Sequence, residues 1–103
     1  PSAFSAPINC LIQKSNVNDY LNVVWSDTAS NEDGFQIQRS LNGGAWTTLD
    51  GSLAANTTSY LDNSVSSGNT YQYQIRSYFP GPVYSNWCLT PTLDLDLGNI
   101  KFE

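Results

Sequence analysis

Three sets of side chains in this sequence have types and spacings that could do chemistry: paired carboxylates, two cysteines and a row of glutamines. The carboxylates come as Glu32 with Asp33 and Asp94 with Asp96. Acid and base work needs two such groups that converge on one substrate. Neighbours on an extended chain point to opposite faces, so Glu32 and Asp33 diverge. Asp94 and Asp96 share a face, but in "LDLDL" they alternate with Leu93, Leu95 and Leu97, which makes it the wet face. The chain has no histidine, so a nucleophile would have to use Lys or a carboxylate as its base. The expectation is that there are no catalytic residues, no enzyme activity and no cofactor.

Metal binding fares little better. "DLDLGN" has acids at alternate positions, but Gly98 arrives one position early for a calcium loop and no bidentate Glu follows at the required spacing. Asp27, Asn31, Glu32 and Asp33 in "SDTASNED" could gather oxygen ligands and read instead as solvated loop residues, so no metal site is expected. Cys10 and Cys88 stand outside any CxxC pair and have no His partner, which removes zinc. Two readings of the cysteines remain, a disulfide between them or two buried thiols.

The elements that must position these groups are strands. No stretch of a dozen residues has apolar positions at three-and-four spacing, whereas period-two alternation recurs at short intervals. "YLNVVW" puts Leu21, Val23 and Trp25 on one face, and "FQIQRS" sets Phe35 and Ile37 against Gln36 and Gln38. In "YQYQIRSY", Tyr71, Tyr73 and Ile75 oppose Gln72, Gln74 and Arg76. In "SLNGGAW", Asn42, Gly43 and Gly44 accept positive φ and predict a hairpin between "FQIQRS" and "AWTTL". Roughly seven strands in about 85 residues, with no helix, predict an all-β sandwich.

With four basic and nine acidic residues and a net charge of −5, the chain lacks the clustered Lys and Arg that nucleic acid or an anionic membrane surface requires. No apolar run is long enough to span a membrane. The chain contains no Met, which is consistent with removal of a leader or with excision from a longer protein.

Cys10 to Thr92 resembles a fibronectin type III domain of the kind strung between domains in bacterial secreted proteins. The resemblance rests on "LNVVWSD" with Trp25, "NEDGFQIQRS", "GGAWTTL", "NTTSYLDNSV", "SGNTYQYQIRSY" and "YSNWCLTPT", in that order. It implies a seven-stranded immunoglobulin-like sandwich over residues 8–92. The first, second and fifth strands would form one sheet and the others the second. It also implies a core role for Trp25 and a corner role for Tyr71, whose hydroxyl would bond the backbone near Val65. The family does not use cysteines in its first and last strands. In this fold those strands close the same open side, so a Cys10–Cys88 bridge would join the two ends of the domain, a device suited to an extracellular setting.

The resemblance leaves residues 1–7 as an extended N-terminal arm and 93–103 as a strand-like C-terminal extension. Leu93, Leu95, Leu97, Ile100 and Phe102 form an apolar row that is expected to be buried against something outside the sandwich. That points to a structural subunit that assembles with its own copies into a filament or surface layer. Alternatively, the tail leads into a neighbouring domain of a larger secreted enzyme or adhesin. A third reading places a carbohydrate or protein ligand on the face carrying Gln36, Gln38, Gln72, Gln74, Arg76 and Tyr78. The same row reads as cross-strand polar pairs of a solvated sheet. Trp46 and Trp87 fit either an edge cover or an exposed anchor. Asn56, in the sequon "NTT", is a glycosylation candidate on an exposed turn.

Overall fold

The computed structural model describes residues 5–14, 20–66 and 68–95. Over these the chain forms β1 (Ile8–Lys14), β2 (Leu21–Ser26), β3 (Gly34–Leu41), β4 (Trp46–Ala54), β5 (Ser59–Asp62), β6 (Asn69–Phe79), β7 (Val83–Tyr84), β8 (Cys88–Leu89) and β9 (Leu93–Leu95). One sheet has the order β1-β2-β5. The other runs β4-β3-β6, with β7, β8 and β9 all paired to β6. Every pairing is antiparallel, and the sheet membership is the one the resemblance implies.

The alternation read from sequence becomes the core. Leu21, Val23 and Trp25 of β2 face Phe35 and Ile37 of β3 and Tyr71, Tyr73 and Ile75 of β6, all buried. Trp25 and Phe35 have ring centroids 5.8 Å apart. Asn42 and Gly43, with φ of 52° and 75°, turn β3 into β4; two successive residues with positive φ make the turn whose twist matches that of the strands. The Tyr71 hydroxyl accepts a hydrogen bond from the Ser66 backbone N–H at 2.9 Å. It thereby ties the start of β6 to the crossover that follows β5.

The seventh strand is broken into three. β7, β8 and β9 meet β6 at Tyr78–Phe79, Gln74–Ile75 and Asn69–Tyr71 respectively. At the breaks, side chains take over the ladder. The Ser85 hydroxyl accepts from the Ser77 N–H at 3.0 Å, and the Thr90 hydroxyl accepts from the Tyr73 N–H at 3.1 Å. Pro91, which has no N–H to give, follows directly.

Two boundaries therefore move. The sandwich does not end at Thr92: Leu93 and Leu95 continue the last strand and turn toward their own core, with Leu95 only 1% exposed and Leu93 packed on the core cluster. The eleven-residue β6 leaves Asn69–Tyr71 to be paired, and β9 fills that place. Of the apolar row, Leu97, Ile100 and Phe102 lie outside the described residues. At the other end, residues 5–7 lie on the sandwich instead of forming a free arm. The Ser5 carbonyl accepts from the Ser77 hydroxyl at 2.6 Å, the Ala6 carbonyl accepts from Thr28 at 2.7 Å, and Pro7 is buried.

The Leu95 placement has a measurable consequence. Leu95→Ala is expected to cost about 2–5 kcal/mol, the range for truncating a buried leucine. Chemical denaturation checks it; a change below about 0.5 kcal/mol, as for an exposed surface position, would put Leu95 outside the core.

Candidate functional site

Cys10 and Cys88 are joined, with Cα atoms 6.2 Å apart and a sequence separation of 78. Each strand contributes something local to that bond. In β1 an extra residue is accommodated between Ile8 and Leu11 while β2 advances only from Ser26 to Val24, and Asn9 takes up the bulge with φ of 55°. The bulge leaves Ile8 half exposed and Cys10 buried. On the other side Cys88 pairs with core residue Ile75 of β6, so its side chain also faces inward. The bond thus crosses between the two sheets, from the first strand of one to the interrupted last strand of the other.

Ser5 and Leu95 lie at opposite poles of the larger sheet. Ser5 is held at Ser77, near the end of β6, while Leu95 pairs with Asn69 at its start. Eight residues of strand separate those positions by ~26 Å. The disulfide lies on the path between them, so tension entering at one pole reaches the other through a covalent bond.

A second inter-sheet link, unforeseen from the sequence, lies on the opposite edge of the smaller sheet, where β5 flanks β2. Asp62, at the end of β5 in the smaller sheet, is 3% exposed. It accepts from Arg39 Nη1 of β3 at 2.8 Å and from the Tyr73 hydroxyl of β6 at 2.6 Å. Its other oxygen accepts from Ser64 through the hydroxyl at 2.7 Å and the N–H at 3.1 Å. Burial opposes ionisation of this carboxyl, but the hydrogen bonds from Tyr73, Ser64 and Arg39 outweigh it and hold the group below the ordinary carboxylate range. The same burial, with the Asp62 carboxylate beside it, pushes the Tyr73 phenol far above its usual value. Period two does place Arg39 on the inward face with Phe35 and Ile37; that was the available signal.

On the outer face of the larger sheet the register puts Gln36 opposite Arg76 and Gln38 opposite Gln74. Arg76 Nε donates to Gln36 Oε1 at 2.8 Å, and Gln74 Nε2 donates to Gln38 Oε1 at 2.7 Å. Gln38 in turn donates to the Thr48 hydroxyl, and Gln72 to the Thr90 carbonyl. The glutamines therefore serve largely as cross-strand pairs, and Gln74 is buried beneath its neighbours. Tyr78 lies across Gly34, where a Cβ would stand 2.8 Å from the phenol oxygen and would overlap the Leu53 carbonyl; only glycine fits. The guanidinium carbon of Arg76 sits 3.9 Å from the centroid of Tyr84 and 4.3 Å from that of Trp87. Trp87 is therefore the partner of a cation, while Trp46 stays half buried on the edge strand β4.

Among the described residues the remaining carboxylates do internal work or face water. Glu32 is buried and accepts from the Asn56 N–H at 3.0 Å, tying the loop before β3 to the turn before β5. Burial and the neighbouring Glu32 raise the Asp27 carboxyl above its ordinary value. Asp33 is exposed, and Asp94 accepts from the Thr70 hydroxyl at 2.6 Å. Among the described residues no three acidic or cysteine side chains come together as a metal cage. Asn56 sits exposed in its turn with φ of 67°.

No family model and no curated protein matches this chain. Solved structures do. A fibronectin type III-like protein from Clostridium thermocellum superposes with a TM-score of 0.66 at 23% identity, over 90% of this chain and 99% of that one. The chain has the fibronectin type III fold. The twitchin kinase region of C. elegans matches with a TM-score of 0.74 at 17% identity, over 98% of this chain but only 18% of that one. A pectate lyase from Pectobacterium carotovorum matches with a TM-score of 0.66 at 17% identity, over 88% of this chain and 28% of that one. Some neighbours with this fold thus span about this length alone, and in others it is one part of a much longer chain.

Proposed function

We propose that this fibronectin type III fold is a non-catalytic extracellular link: a module that joins its neighbours in a secreted or surface chain and passes tension across itself. The observation that carries this reading is the Cys10–Cys88 bond, which covalently connects the first and last strands on the path between Ser5 and Leu95, at opposite poles of the larger sheet. An oxidising compartment is where such a bond persists. Placement of the same fold within longer chains, as in the twitchin and pectate lyase structures, supports a spacer role.

The link reading takes precedence over self-assembly into a filament. Leu93 and Leu95, two of the five residues in the apolar row that suggested a free pairing arm, are used within the domain itself. Light scattering of the oxidised chain over a hundredfold range of concentration is therefore expected to give a monomer throughout. Polymers growing with concentration would replace the link by a filament subunit.

A further inference from the structure

The outer face of the larger sheet holds one cation in an unusual position. Arg76 lies close over the rings of both Tyr84 and Trp87, and its Nε is bonded to Gln36. Packed against two rings and with one edge fixed, the guanidinium has little freedom left to lose. Its two terminal nitrogens have no hydrogen-bond partner among the described residues, and no carboxylate there forms an ion pair with it. Arg39 is the contrast, since its terminal nitrogen is spent on Asp62 and Ser64.

A planar fork of N–H donors, immobilised in advance and unpaired, matches a carboxylate in two-point geometry. We propose that Arg76 binds the carboxylate of a uronic acid residue in an acidic polysaccharide, with Tyr84 and Trp87 flanking the site. This goes beyond the link role and does not rest on it. The surroundings favour a sugar over an acidic peptide. The amides of Gln36 and Gln38 beside Arg76 are already partnered within the sheet, but Tyr84, 42% exposed, offers a ring that suits the flat side of a pyranose. The aliphatic side chain nearest in register is Leu89, opposite Gln74, and a single exposed leucine is not the apolar socket that anchors a peptide.

Calorimetric titration of the oxidised protein tests this with three probes: a de-esterified hexamer of galacturonic acid, its methyl ester, and hexaglutamate. The acid hexamer is expected to bind at least tenfold more tightly than either of the others. Arg76→Gln should lose that preference, and Arg76→Lys should weaken it as well, because an ammonium keeps the charge but lacks the planar fork. Far-UV circular dichroism and thermal melts establish that the variants fold; should they not, the comparison of acid with ester on the unaltered protein still decides. The proposal is overturned by absence of binding, by equal binding of acid and ester, or by unchanged affinity in folded Arg76→Gln. Tighter binding of hexaglutamate would overturn it in favour of a peptide partner.

Discussion

Replacing Asp62 by Asn is expected to lower the free energy of unfolding by about 3–5 kcal/mol, the range for breaking a buried ion pair by removing one partner. The reason is what stays behind. Arg39 keeps its charge but loses its counter-charge, with the Ser64 hydroxyl and the Tyr71 ring beside it, and it must share with the Tyr73 hydroxyl a neutral amide in place of a carboxylate. The link joins the two sheets, so the loss is one of sheet-to-sheet contact and not of a surface pair. Urea denaturation at pH 7 reads it directly, and a change of less than about 1 kcal/mol would reduce the network to the value of an exposed salt bridge.

The same network fixes a pH signature. Asp62 titrates lower in the folded chain than in the unfolded one, so its contribution is present above the unfolded value of about 3.9. It is lost as the pH falls through the depressed folded value. Tyr73 runs the other way: its folded value is raised, and its contribution declines as the pH climbs above the ordinary phenol value of about 10. Asp62→Asn should abolish the acid limb attributable to this carboxyl while leaving other carboxylates to titrate.

Opening the disulfide should cost about 4 kcal/mol in the chain-entropy model, given the 78-residue separation of its partners. Paired Cys10→Ala and Cys88→Ala substitutions, compared with the oxidised chain in urea, measure it. The variant should also show a steeper dependence on urea, because its unfolded state is no longer looped and exposes more surface. Equal stability of the two forms would mean that the bond makes no net contribution to stability.

Much of this was legible in the sequence, and the reasons differ by residue. Trp25, Phe35, Ile37 and Tyr73 fell into place because a half-buried strand writes its burial as period two, and Asn42–Gly43 because a tight hairpin admits few residue types. The end of the domain was misplaced because Pro91 and the short pairings of the last strand imitate a terminus. The strand in fact resumes at Leu93 to serve β6, a pairing partner more than twenty residues away. The ion network was hidden for a related reason. Arg39 stands in an inward position, but its acid is Asp62 in the other sheet, and nothing local announces that meeting. The clasp on Arg76 likewise needs Tyr84 and Trp87 to arrive from the irregular stretch around Ser85, where alternation no longer guides the reading.

The link role depends on force bypassing the enclosed fold, and stretching a tandem array of the chain by its ends tests that most directly. Oxidised modules are expected to lengthen only by the short segments outside Cys10 and Cys88. Reduction should release a further ~280 Å per module, the reach of the 78-residue separation at ~3.6 Å per residue. Oxidised modules that already yield the full length, with no gain on reduction, would contradict the clamp and the function drawn from it.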